Sequence, residues 1–236
     1  PFALPARACS ARVLRCMDDK GLFAQQLRGT GLHPLTVVLD DSCIGNLGGC
    51  LEKAASLFDA EMLWFVKHRR MGGGSHVYCV QGKAEASTLL NELSDPHEYI
   101  LQANVRSRLL DGRKCTIRSY AVFFKSRVFY SPEAVLVKVH GSPYSESSTS
   151  KDIHSSCCSF HDGVDAMSGE DLFARLGADG DALHTCARQV LAHFREDAAR
   201  VPDGEYCLVG LDFLLCEDGG AVCIEANYPC SIFERR

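Results

Sequence analysis

The sequence predicts an α+β fold with largely antiparallel sheets, and three observations carry that expectation. Residues 62–102 run in the order strand, glycine loop, strand, helix, strand. Residues 115–123 and 127–139 alternate as paired strands do. The chain then closes on two strands joined by the turn Glu217-Asp218-Gly219-Gly220, a hairpin signature.

Each element follows from a local signal. Residues 1–32 have no readable period. Residues 35–39 (LTVVL) read as a short buried strand, closed by Asp40-Asp41-Ser42. Residues 48–59 have helical spacing at Leu51, Ala54, Ala55 and Phe58. A continuous apolar run, Met62 to Val66, ends in Lys67, and a basic, glycine-rich loop follows from His68 to Gly74. His76–Val80 and Tyr99–Gln102 read as strands, with a helix over residues 84–93 between them. The strand over 127–139 is expected to turn at Ser131-Pro132. Residues 141–163, rich in Ser and Gly, read as a long loop. Residues 181–200 predict an amphipathic helix through Leu183, Ala187, Val190, Leu191, Phe194 and Ala198.

Composition narrows the function classes. The 236 residues are 46% hydrophobic and 23% charged, which excludes a disordered, collagen-like or coiled-coil chain. No apolar run approaches the roughly 20 residues of a membrane helix. A net charge of −5 argues against wholesale nucleic-acid binding. The start PFALPARACSARVL lacks a basic segment before a long apolar core, so it is not read as a secretory signal. Beginning at Pro1, the chain is expected to be a fragment or a trimmed protein. Thirteen cysteines, with no C-x-x-C, read as reduced, buried thiols in a cytoplasmic compartment. His154, Cys157, Cys158 and His161 offer zinc-type ligands, but adjacent cysteines chelate awkwardly and no second pair flanks them, so the segment is read as a Ser-rich surface loop ahead of a zinc site.

Three groups of residues suit phosphate chemistry. Lys67 stands at a strand end beside Gly72, Gly73 and Gly74, where an ammonium and bare backbone N–H groups meet. This is not a Walker A motif, and a hairpin loop with solvated charges fits the segment too. Lys114 and Arg118 share one strand face, which suits an anion between them or an exposed edge. Asp212 and the pair Glu225 and Asn227 sit on the two strands of the closing hairpin, which brings Asp212 opposite Glu225 or Asn227. These are hard oxygen donors suited to Mg²⁺. Both strands are otherwise apolar, so such carboxylates call for a cation.

Taken together, Trp64-Phe65-Val66-Lys67, Gly72-Gly73-Gly74, Ile100-Leu101-Gln102, Arg113-Lys114-Cys115-Thr116-Ile117-Arg118-Ser119-Tyr120, Gly210-Leu211-Asp212-Phe213 and Ile224-Glu225-Ala226-Asn227 resemble, in order and spacing, the tubulin-tyrosine ligase-like family of the ATP-grasp fold. The resemblance runs from about residue 33 to the end. It implies a partial N-terminal segment over 1–32, a central lobe over 33–103 and a C-terminal lobe over 104–236, clasping a nucleotide. It implies that Lys67 holds the α- or β-phosphate, with Gly73 and Gly74 beside it, and that Gln102 and the segment after it take adenine. Lys114 and Arg118 would bind the terminal phosphate and the reacting carboxylate. Asp212, Glu225 and Asn227 would hold Mg²⁺, with Glu225 also counted as catalytic. The implied activity is ATP-dependent amide formation between a free amino acid, glutamate being the expected one, and a protein carboxylate through an acyl phosphate. Tubulin or another acidic protein tail is the expected partner, and a cytoplasmic monomer at microtubules or cilia is the expected setting.

The sequence also departs from the family pattern. His76 replaces a glycine, Thr116 replaces an aspartate, and a further strand arginine has only Lys138 as a counterpart. An inactive nucleotide- or tubulin-binding module and a ligase for small molecules therefore stand as alternatives. Arg106, Arg108, Arg113, Lys114, Arg118, Lys125 and Arg127 crowd one stretch, and the part not facing ATP reads either as a surface for an acidic peptide or as a solvated face.

Overall fold

The computed structural model describes residues 7–9, 13–43, 45–59, 62–72, 74, 76–154, 164–177, 180–228 and 230. The first half contains β1 (Arg7–Ala8), α1 (Arg15–Asp18), α2 (Lys20–Gln26), β2 (Thr36–Val38), α3 (Leu47–Leu57), β3 (Leu63–His68), β4 (Val77–Gln81), α4 (Gly82–Glu92) and β5 (Tyr99–Ala103). The second contains β6 (Cys115–Phe124), β7 (Arg127–Val139), α5 (Lys151–His154), β8 (Asp165–Ser168), α6 (Gly169–Leu176), α7 (Asp181–His193), β9 (Glu205–Leu215) and β10 (Ala221–Asn227). The class is mixed α+β with two sheets, one of four strands in the order β2-β5-β3-β4 and one of six in the order β1-β9-β6-β7-β8, with β10 also on β9. Every pairing is antiparallel except β1 on β9.

The small sheet is covered on one face by α3 and α4. Asn46 caps α3 by accepting from the Gly49 N–H, and Leu51 and Ala54 then turn inward. They meet Trp64, Val66, Leu101 and Leu90 in one core. Because strand side chains alternate, Phe65 and Lys67 point the other way, toward the six-stranded sheet. The larger core gathers α7 against β6, β9 and β10 through Val190, Phe194, Ile117, Val209 and Phe213.

Several expectations are corrected here. The described part of the stretch without a readable period holds α1 and α2: Asp19 caps α2, and Phe23 stacks on Phe194 with ring centroids 5.3 Å apart. The helix expected over 181–200 ends at His193, and Arg195–Arg200 tighten into a 3₁₀ helix that buries Ala198. Ser131-Pro132 is no turn; β7 runs through it, and the register against β6 slips by three residues there. Proline lacks the N–H that a ladder position needs, so the strand bulges around it. The loop read over 141–163 holds α5, and β8 and α6 follow it.

The reading of all cysteines as free thiols is also corrected at one pair. Cys43 and Cys50 form a disulfide, because α3 carries Cys50 back over the turn that ends at Cys43. Nine others are free among the described residues. Among the same residues, no helix is long and apolar enough to cross a membrane.

Candidate functional site

Lys67 and Lys114 are both buried, at 7% and 3% exposure. The Lys67 ammonium donates to Gln102 Oε1 at 2.6 Å, and the Lys114 ammonium donates to Asn104 Oδ1 at 2.8 Å. Phe65 lies between them, with its ring 5.3 Å from Lys67 Nζ and 5.9 Å from Lys114 Nζ. Tyr144 covers Lys114 from another side at 4.7 Å. Burial pushes both ammoniums down to about 8. Glu225 and Asp212 pull Lys67 partly back, and the charge of Lys67 presses Lys114 further down.

On the six-stranded sheet, Lys114, Thr116 and Arg118 share the face opposite the core, on a strand enclosed by β7 and β9 rather than at an edge. Arg118 lies across from Asp212 and binds it through two contacts, Nε to Oδ1 and a terminal guanidinium nitrogen to Oδ2, both 2.7 Å. Gly210, opposite Tyr120, makes room: a Cβ there would stand 3.2 Å from Arg118 Cδ. The hairpin β9–β10 pairs in simple steps from Ala221↔Leu215 to Cys223↔Phe213, and then Glu225, not Ile224, faces Asp212. This one-residue bulge decides the site. Without it the alternation would aim Glu225 and Asn227 into the core.

The oxygen donors lie close together. Asn227 Nδ2 donates to Asp212 Oδ2 at 3.1 Å and to Glu225 Oε1 at 3.4 Å. Burial pushes the Asp212 carboxyl up, against the pull of Arg118. Burial acts upward on Glu225 as well, but Lys20, Lys67 and Arg118 hold it down to about 2. The two neighbouring carboxyls are thus driven apart in acidity, as like charges sharing a site are. Among the described residues, no three His, Cys, Asp or Glu side chains cluster as metal ligands. The set here is two carboxylates and the Asn227 amide, whose NH₂ group is the end that faces them.

The structure therefore brings Lys67, Lys114 and Arg118 to the same buried region, where the two sheets face each other, as Asp212, Glu225 and Asn227. Gly74 turns there with φ +74°, while Gly73 lies outside the described residues. The side chain of Gln102 does not face outward; it is 2% exposed and holds Lys67. Thr116 is buried and bonds His140 Nε2 at 2.9 Å, with Lys138 beside it across β7 and near enough to Asp212 to pull its carboxyl down. His76 sits at the base of the glycine loop, its ring 5.8 Å from that of His68.

Other residues enter the site without a signal in the sequence. Lys20, in the unreadable start, places its ammonium 3.6 Å from Glu225 and donates to the Met71 carbonyl. Asp19 accepts from the N–H groups of Gly21 and Leu22, from Nε and a terminal nitrogen of Arg69, and from Nε of Arg70. It thereby ties the start of α2 to the glycine loop. His154 packs edge-on to Phe65 and Tyr144 and bonds the Ser148 carbonyl, while Cys157, Cys158 and His161 lie outside the described residues.

The basic stretch is largely engaged within the molecule. Arg106 pairs with Asp59, Arg108 donates to the Leu176 carbonyl, and Arg113 pairs with Asp165. Lys125 lies over Phe124 in the β6–β7 turn. No protein-family model matches this sequence, and no curated protein matches it.

Proposed function

We propose that this chain is an ATP- and Mg²⁺-dependent carboxylate–amine ligase of the ATP-grasp type, similar to the tubulin-tyrosine ligase-like family. One observation carries the reading. Two buried ammoniums on either side of Phe65 each donate to a neutral amide, and the carboxylates of Glu225 and Asp212 lie near enough to Lys67 to act on its charge. The charge of Lys67 is felt at Lys114, and two buried cations that repel are stabilised when an anion joins them. A triphosphate is an anion of the right charge for that gap, and phosphoryl transfer needs mainly positioning and charge neutralisation.

The donor set also suits magnesium. Asp212, Glu225 and Asn227 supply hard oxygens, and the nearby cations that hold the Glu225 carboxyl down to about 2 keep it ionised. Bound there, Mg²⁺ would neutralise phosphate charge. In this reading Lys67 and Lys114 bind the phosphates. Arg118 orients the acceptor carboxylate and shares its guanidinium between that group and Asp212. The acceptor carboxylate attacks the terminal phosphorus and releases ADP. A free amine then attacks the acyl carbon, loses a proton and expels phosphate. Gly74 and the backbone after Gln102 would flank the nucleotide.

The acceptor is proposed to be an acidic protein tail, tubulin foremost, with glutamate as the added amino acid and a cytoplasmic, microtubule-associated monomer as the setting. The test is mass spectrometry of tubulin tails after incubation with the protein, Mg·ATP and each amino acid in turn. A mass gain of one residue that disappears in Glu225→Gln is expected. Mg·ATP binding without any product would favour the inert nucleotide-binding module. Turnover with free amino acids alone would favour the small-molecule ligase.

A further inference from the structure

A chain of hydrogen bonds crosses between the two sheets directly behind Lys67. His33 lies between α2 and β2, with its ring edge against Phe23 at 5.4 Å. Its Nδ1 is 2.6 Å from the Cys223 carbonyl on β10. A carbonyl only accepts, so Nδ1 carries the proton and Nε2 is bare. Gln102 on β5 donates from Nε2 to that bare nitrogen at 3.1 Å and to Thr36 Oγ1 at 3.3 Å. The Thr36 hydroxyl is itself turned to the Pro34 carbonyl. Gln102 Oε1 is thereby left facing Lys67 and accepts its proton.

Thr36 Oγ1 also lies 3.2 Å from His33 Nε2, but with its proton on the nearer Pro34 carbonyl at 2.9 Å the Gln102 amide is the donor to that nitrogen. The direction runs from Lys67 through Gln102 and His33 to the carbonyl of Cys223, two residues before Glu225. The Cys223 N–H donates to the Leu32 carbonyl, so the His33 segment is fixed to β10 twice. Reversing the Gln102 amide would aim its NH₂ at an ammonium. The orientation of Gln102 is thus held from both ends, by the Lys67 ammonium at Oε1 and by the bare His33 nitrogen at Nε2. Burial supports this arrangement by keeping the imidazole neutral down to about pH 4.

We infer that His33 is a positioning residue, holding the Lys67 ammonium through Gln102 at a fixed place relative to Glu225. The consequence for nucleotide binding rests on the function proposed above; the relay itself does not. Three substitutions separate its parts. His33→Asn keeps a donor where Nδ1 stands but does not reach Gln102. His33→Gln places an acceptor where Nε2 stands. His33→Leu provides neither.

The experiment follows the Lys67 ¹³Cε signal of selectively labelled protein, assigned through Lys67→Arg, across a pH titration, and measures mant-ATP affinity in parallel. In the Leu and Asn variants the Lys67 titration is expected to move down by about half a unit or more, and mant-ATP binding to weaken about tenfold. The Gln variant is expected to stay within about twofold of the unaltered protein. If the Leu variant does not fold, the Asn and Gln pair decides alone. An unmoved Lys67 signal in the Asn variant, or an equal movement in the Gln variant, overturns the inference. A Lys67 signal that moves as expected, in a protein that binds no mant-ATP in any form, supports the relay and overturns the nucleotide reading.

Discussion

At the scale of single residues, the site is a balance of charges that cannot all be solvated. Arg118 and Asp212 neutralise each other through two short contacts, whereas Lys67 and Lys114 donate to the amides of Gln102 and Asn104. That difference has a pH signature. An unfolded lysine keeps its proton up to about 10.5, but burial makes both folded groups release theirs at about 8. Between those limits the unfolded chain binds more protons. The two lysines therefore favour the fold more as pH rises through the window, and that gain is lost as pH falls through 8. Affinity for an anion must run the other way, because only the charged form attracts it. Binding of mant-ATP is expected to weaken by up to about tenfold per pH unit above 8 for each lysine the phosphates touch. Titrations between pH 7 and 9.5 check this, and a flat affinity would mean that the anion sits elsewhere. The charged residues of this balance were readable from residue type and spacing alone. Lys20 and the amides of Gln102 and Asn104 were not, since their roles arise only when distant segments pack together.

Among elements, legibility followed the strength of the local pattern. The strand ending in Lys67 and the hairpin carrying Asp212 were plain because long apolar runs and a glycine turn mark them. What the pattern could not settle was the partner of Asp212. A regular ladder from the Leu215↔Ala221 pair would seat Ile224 there, and the bulge seats Glu225 instead. Bulges have no reliable signature of their own, so register was lost where face was kept. The helix α6 was missed although its signals are present. Ser168 accepts from the Asp171 N–H at 3.0 Å, and Gly177 ends the helix at φ +59°. Its apolar content is small and it follows a Ser-rich stretch, which hid it. Ser168→Ala is expected to destabilise the protein by about 1 kcal/mol, measured as a lower urea midpoint with unchanged slope.

For the molecule as a whole, two cores and two sheets are visible in the order of elements, but the dependence of one half on the other is not. Residues 1–32 read as a remnant, yet Leu14, Met17 and Phe23 are fully enclosed in the larger core. Composition does carry one global consequence. Eight thiols are pushed up by burial, Cys16, Cys79 and Cys186 to about 12 and Cys115, Cys207, Cys216 and Cys230 to about 11, with Cys223 well above its usual value. An unfolded thiol ionises near 9, so these groups favour the fold fully below 9 and lose that contribution as pH rises through 11 and 12. They outnumber the two lysines, which act in the opposite sense. Urea midpoints are expected to fall between pH 9 and 11, and a midpoint that holds or rises would mean the thiols are open to solvent. The last consequence belongs to Asp19. One side chain anchors both the first turn of α2 and the two arginines at the root of the glycine hairpin. That hairpin cannot swing as a separate flap. Either the amino-terminal helix travels with it, or three arginine bonds to a single carboxylate must break first, so the tempo of nucleotide entry would be governed from a segment that touches no phosphate.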